Sequence, residues 1–321
     1  MGVSFLTPVA SLFALLALVP LVVFAGRRRR ADRIRAALGL EGGGGGRSWI
    51  ALAACLAAVP ILVGVAAAQP VVTSARTVPQ RNDAEVFVVL DTSRSMLASK
   101  GSGEPTRFER ARNEAIKLQA ELGDIPVGLA SFTDRVLPHL FPTVDQRVFQ
   151  DTARNSMGIE RPPPSTSFGT NVTTLDALGV VPTLNFFTPG VKRRALVVFT
   201  DGESQPISGA LSSDFARKPQ VHATFVHMGD TSERIYASGV PEEGYEPDPT
   251  SSATLTAAAH ATRGRIVDEG DVGDVAAGVR QALGIGPTLD RRIEGSRRAL
   301  MPFVALLAVF PLGFVLLRRN A

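Results

Sequence analysis

Val86-Phe-Val-Val-Leu-Asp91-Thr-Ser93-Arg-Ser95-Met96 is a run of five apolar residues that ends in a carboxylate and two hydroxyls at every second position. The apolar half reads as a strand buried on both faces, as at the centre of a parallel sheet covered by helices on either side. Burial alone does not call for three oxygen-bearing side chains on a single turn. Alternation along an extended turn sends Asp91, Ser93 and Ser95 to the same side. The turn therefore delivers a carboxylate and two hydroxyls to one small volume.

A second stretch has the same character. Arg194–Thr200 is Arg-Ala-Leu-Val-Val-Phe-Thr and runs into Asp201-Gly202-Glu203. Between and after these two strands, helical and extended patterns alternate. Phe108, Ala111, Ala115, Leu118 and Leu122 recur at helical spacing and stop at Gly123. Val127–Phe132 and Arg135–Phe141 read as strands, Asp145–Met157 as a helix, and Val172–Val181 as a helix after the loop that carries Arg161-Pro-Pro-Pro164. Then come a strand at Val221–Met228, a helix at Thr254–Thr262, a short strand at Arg265–Asp268 and a closing helix at Val272–Leu283. This order predicts an α/β fold, a doubly wound and mostly parallel sheet. In such a sheet ligands bind in the crevice at the carboxyl ends of the strands, where strand order reverses. If the two strands are neighbours there, Asp91 and Asp201 converge. Two carboxylates with neutral hydroxyls suit a hard divalent cation such as Mg²⁺, which takes oxygen ligands at about 2.0–2.1 Å and keeps several waters. The alternative for a lone Asp-x-Ser-x-Ser is a helix cap that satisfies turn amides.

Gly169-Thr170-Asn171 and Thr200-Asp201-Gly202-Glu203 follow the first motif in order. Together they resemble the metal-ion-dependent adhesion site (MIDAS) of von Willebrand factor A domains, and the resemblance covers roughly residues 85–283. It implies five ligand positions, Asp91, Ser93, Ser95, Thr170 and Asp201. The three hydroxyls would bind the metal directly and the two carboxylates directly or through water. Thr166, Thr173 and Thr174 compete with Thr170 for the third hydroxyl. The implied ion is Mg²⁺, with Mn²⁺ or Ca²⁺ as substitutes, and the implied partner is a protein that lends a carboxylate. Asn171-Val-Thr173 is a glycosylation sequon, discounted because it lies against the proposed metal.

Phe5–Ala25, Trp49–Ala68 and Ala299–Leu317 are uncharged runs of 21, 20 and 19 residues. A bilayer core needs about 20 apolar residues as a helix, so three transmembrane helices are expected. The short loop between the first two carries seven arginines, Arg27 to Arg30, Arg33, Arg35 and Arg47. Positive residues in short loops stay cytoplasmic, which places the long central region outside. The expected organisation is residues 1–26 as the first span, 27–48 as a basic cytoplasmic loop and 49–68 as the second span. A linker at 69–84 then leads to the von Willebrand factor A domain at 85–285, a basic linker at 286–298, the third span at 299–317 and a cytoplasmic tail at 318–321. This layout resembles the bacterial aerotolerance (Bat-type) membrane proteins. That resemblance implies a multi-pass protein of the cell (inner) membrane, linked to a MoxR-type AAA+ ATPase, to sister von Willebrand factor A proteins and to envelope stress or maturation.

The formal charge of +4 does not indicate nucleic acid. Residues 85–285 carry a net −6 and the remainder a net +10, so the basicity flanks the membrane segments. The single cysteine, Cys55, excludes an intrachain disulfide and reads as a membrane-buried thiol. His222 and His227 should face opposite sides of one strand, His139 and His260 are isolated, and Asp268 to Asp274 should cap the closing helix. No catalytic triad or zinc spacing emerges. The expected function is binding and not catalysis. The alternatives are a metal-dependent hydrolase outside the membrane, which would have Glu203 alone as a base, and a scaffold subunit with a vestigial site.

Overall fold

The computed structural model describes residues 2–38, 48–161 and 173–320. The chain forms two compact units, Met1–Thr77 with Arg292–Ala321, and Val78–Arg291.

In the first unit, β1 (Gly2–Phe5) leads through a 3₁₀ segment, Pro8–Ala17, into α1 (Leu18–Ala37). α2 spans Ser48–Ala67, and β2 (Pro70–Arg81) follows it. β1 pairs antiparallel with β2, Gly2 opposite Thr73 and Phe5 opposite Pro70. Two helices are long and apolar enough to cross a membrane, Pro8–Ile34 and Ile50–Ala67, and Met301–Leu317 is a shorter apolar helix. Their large apolar side chains face outward: Val9 is 75% exposed and Val22 70%. Gly64 lets α2 approach the N-terminal segment closely, since a Cβ there would lie 2.6 Å from the Ala14 nitrogen. Small residues at such crossings are the usual means of close packing between apolar helices.

The second unit holds the strands and helices that position the site. In chain order they are β3 (Ala84–Asp91), α3 (Arg107–Leu122), β4 (Val127–Phe132), β5 (Val136–Thr143), α4 (Gln146–Asn155), α5 (Val180–Thr183) and β6 (Arg193–Thr200). Then follow α6 (Gly209–Phe215), β7 (Val221–His227), the small hairpin β8 (Tyr236–Ala237) and β9 (Val240–Pro241), α7 (Ser251–Thr262), β10 (Arg265–Asp268) and α8 (Val272–Leu283). The chain ends with β11 (Thr288–Ala299) and α9 (Met301–Asn320).

The central sheet runs β10-β7-β6-β3-β4-β5, parallel except for β5. Every residue of β3 is buried, as the unbroken apolar run predicts. Its alternation splits the core in two. Val86, Val88 and Leu90 join the cluster that contains Phe108, Leu118 and Val275, from α3 and α8. Phe87 and Val89 join the cluster that contains Leu211 and Leu255, from α6 and α7. The strand order reverses between β3 and β6, so the carboxyl ends of these two strands form the switch-point crevice.

Two segments expected as linkers are strands. Residues 70–81 form β2 and residues 288–299 form β11, adjacent in a three-stranded sheet of order β1-β2-β11. Much of β2 is exposed, so backbone pairing holds it and no apolar run announces it. Asp271 occupies the cap position of α8, but its side chain makes no capping hydrogen bond.

Gln119, on the buried face of α3, is fully buried, and among the described residues neither its amide oxygen nor its nitrogen has a hydrogen-bond partner. An unsatisfied buried amide costs about 1–3 kcal/mol. Gln119→Leu should therefore raise the stability measured by denaturant unfolding by about 1–2 kcal/mol, with the denaturant slope unchanged. A loss of stability would show that the amide is satisfied.

Candidate metal centre

Asp91 is the last residue of β3 and is fully buried. Its Oδ1 accepts from the Ser93 amide at 2.9 Å, and its Oδ2 accepts from the Thr200 hydroxyl at 2.6 Å. Thr200 ends β6, so this bond ties the two switch-point strands together across the crevice. Ser93 is extended, and Arg94–Leu97 then wind into a 3₁₀ turn. This turn, and not simple alternation along an extended chain, carries Ser95 back to Ser93, with the two hydroxyl oxygens 3.0 Å apart.

Asp201 lies one residue beyond Thr200 and is 2% exposed. Gly202 follows at φ +77, and a Cβ there would lie 2.6 Å from Leu255 Cγ, so the tight turn behind Asp201 requires glycine. Asp201 Oδ1 accepts from the Glu203 amide at 3.1 Å. The structure therefore brings Asp91, Ser93, Ser95 and Asp201 to one crevice. Thr170, the sequon Asn171, the triple-proline loop and the pentaglycine Gly42–Gly46 lie outside the described residues. Thr173 is buried, and its carbonyl accepts from the Gln205 amide at 3.0 Å, beside the turn that carries Asp201.

Burial, and then the neighbouring charge of Asp201, pushes the Asp91 carboxyl up to about 7. Both of its oxygens accept from neutral donors, and among the described residues no cation pairs with it. A buried carboxylate in that state needs a positive charge or a proton. The donors around it are oxygens, and among the described residues no group of three His, Cys, Asp or Glu side chains forms a cage. This donor set fits a hard divalent cation held partly by hydroxyls and water.

Arg107 was not legible as part of this site. It is the first residue of α3 and only 2% exposed. Thr106 fixes where α3 begins: its hydroxyl accepts from the Glu109 amide while Glu109 Oε2 accepts from the Thr106 amide, a complete capping box. The guanidinium donates to Asp201 Oδ2 at 2.9 Å, Glu203 Oε1 at 2.9 Å, Glu233 Oε2 at 2.7 Å, the Tyr245 hydroxyl at 3.0 Å and the Asp230 carbonyl at 3.0 Å. Burial disfavours its charge, but Asp201 and the other partners outweigh that and push its pKa above the ordinary value. Glu203 is held up by burial and by Asp201. A cavity of about 330 Å³ opens beside these groups, lined by Arg107, Asp201, Glu203, His227 and Asp230. On the outer side Arg94, inside the serine motif, pairs with Glu242 at 2.7 Å. The only advance signal for Arg107 was Thr106-x-x-Glu109, which marks a helix start and says nothing of a partner 94 residues away.

Sheet order and loop chemistry together give a doubly wound sheet with one antiparallel edge strand, with Asp-x-Ser-x-Ser at the end of β3 set across the switch point from the aspartate after β6. No protein-family model and no curated protein matches the chain. Among solved structures, the chain is similar to an aerotolerance-related membrane protein from Bacteroides fragilis, at 22% identity and a TM-score of 0.48, covering 62% of this chain and 98% of that one. It is similar also to the conserved hypothetical protein BatB from Bacteroides thetaiotaomicron, at 22% identity and a TM-score of 0.49, over 62% and 96% of the two chains. A third is proximal thread matrix protein 1 of the mussel byssus, with a zinc-occupied MIDAS motif, at 12% identity and a TM-score of 0.42, over 76% and 54%.

Proposed function

We propose that the chain is a membrane-anchored interaction module, with a divalent cation at its switch-point crevice that docks a carboxylate from a partner protein. The observation that carries this reading is the fully buried Asp91 carboxyl, paired with no cation among the described residues and set beside Asp201 and two hydroxyls. Asp91, Ser93, Ser95, Thr170 and Asp201 are the proposed ligand positions, and Mg²⁺, Mn²⁺ or Ca²⁺ the proposed ion. A cation held by few carboxylates stays electrophilic and offers an open position to an incoming oxygen. The three apolar helical segments are proposed as spans in an inner membrane, with the arginine-rich loop cytoplasmic and the von Willebrand factor A domain outside. A MoxR-type AAA+ ATPase and sister von Willebrand factor A proteins are proposed as partners.

A hydrolase would need a free base beside the metal. Glu203 is engaged instead by Arg107 and by Tyr245, whose hydroxyl donates to it at 2.7 Å. The reading of a scaffold with a vestigial site has one observation in its favour, the Arg107–Asp201 ion pair, which gives one carboxylate a cation of its own.

The test is crosslinking and capture from native membranes with and without EDTA, comparing the wild type with Asp91→Ala. Partners should be lost both on chelation and in the variant. Partners retained in both would mean that docking uses another face.

A further inference from the structure

Arginine at the first position of a 16-residue helix is an unusual choice. The helix N-terminus carries partial positive charge, and full burial adds a desolvation cost. Arg107 meets both penalties, and its guanidinium nitrogens reach five oxygen acceptors, three of them carboxylates, with Nη1 shared among three of the five. One of those carboxylates is Asp201, the ligand candidate from β6. Its Oδ2 belongs to Arg107 and its Oδ1 accepts from the Glu203 amide, so both oxygens are already engaged by the protein. Asp91 differs, because its two oxygens face only neutral donors.

We infer that Arg107 is a positioning residue that acts as the resident counter-cation of the site, competing with the divalent ion for Asp201 and so keeping metal binding weak and reversible. The inference rests on the metal-site reading above. Without a divalent ion, the guanidinium keeps Asp201, Glu203 and Glu233 charge-paired, and the crevice stays folded. With the ion, Asp201 is shared with a cation that cannot leave, since Glu233, Tyr245 and the Asp230 carbonyl hold it on its other sides. Affinity at oxygen-ligand sites follows the number of carboxylate charges available to the ion, and Arg107 lowers that number.

Direct Mn²⁺ titration of the full-length chain in detergent, reading free Mn²⁺ by electron paramagnetic resonance, tests this with the metal alone. Arg107→Gln removes the competing cation and should bind Mn²⁺ at least tenfold more tightly than the wild type. Arg107→Lys keeps a unit positive charge beside Asp201 and should stay within about threefold of the wild type. The double variant Arg107→Gln/Glu233→Gln removes the fully buried Glu233 charge together with the cation that pairs with it, and preserves the net charge of the cluster. It should still bind at least threefold more tightly, because the Asp201 oxygen is freed. If the wild type binds Mn²⁺ and these glutamine variants bind it equally or more weakly, Arg107 is only a structural brace and this inference alone fails. If neither the wild type nor the variants bind Mn²⁺, the metal-site reading fails with it. Binding by the variants alone would identify Arg107 as a full block and support the inference.

Discussion

Asp91→Asn is expected to stabilise the metal-free protein above pH 7 and to abolish its response to divalent cations. Burial and the Asp201 charge raise the Asp91 carboxyl from 3.8 to about 7 in the folded state. A folded-state pKa above the unfolded one means that the native protein holds the proton more tightly. Stability attributable to Asp91 is therefore greatest below about pH 4, falls as the pH rises through the window between 4 and 7, and stays low above it. Asparagine removes the charge while keeping an oxygen for the Ser93 amide and an amide that can donate to Thr200. Each pH unit across that window removes roughly 1.4 kcal/mol from the wild type. The expected gain on substitution is therefore about 2–4 kcal/mol at pH 8 and none at pH 4. Added Mn²⁺ at a hundredfold excess over Kd should stabilise the wild type by about 2.7 kcal/mol and the variant not at all. Hydrogen exchange of the Val86–Asp91 amides, measured at both pH values with and without Mn²⁺, reads all of these arms. A variant less stable than the wild type at pH 8 without metal would mean that Asp91 already has a cation.

Gly229→Ala should be among the most damaging single methyls in the unit Val78–Arg291. Gly229 sits at φ +82, and a Cβ there would collide with Arg107 Nε and Glu233 Oε2. The left-handed backbone alone costs a non-glycine residue about 1–2 kcal/mol. Forcing apart a buried ion pair costs about 3–5 kcal/mol, so a total loss of about 4–7 kcal/mol is expected in denaturant unfolding. Gly190→Ala is the control. It has φ +91 and, among the described residues, nothing within 4 Å of its missing Cβ, so it should lose only the backbone cost of about 1–2 kcal/mol. Equal losses at the two sites would mean that the Arg107–Glu233 pair moves aside freely.

The elements legible in the sequence are those where one signal dominates. β3 and β6 are continuous apolar runs buried on both faces, and α3 shows apolar positions at helical spacing between a capping box and Gly123. Asp91, Ser93, Ser95 and Asp201 were legible because strand ends at a switch point are places where ligands bind. β2, β11 and the hairpin β8–β9 were not, because they are held by backbone pairing or are too short to carry a pattern. Arg107 was hidden for a different reason. Its role depends on which acids the fold gathers around it, and Asp201, Glu203 and Glu233 lie 94, 96 and 126 residues away along the chain. Tyr245 gave no local cue for the same reason.

The antiparallel pairing of Gly2–Phe5 with Pro70–Thr73 limits how the chain would thread a bilayer under the proposed membrane reading. Strands joined by backbone hydrogen bonds cannot lie on opposite faces of a membrane, so the amino terminus and the strand that leaves α2 share one side. If the chain spans the membrane as proposed, it crosses an even number of times between them, and the two long apolar helices would supply those crossings. A membrane-impermeant thiol reagent offered to cysteines placed at position 2 and at position 73 should therefore label both from the same side and neither from the other.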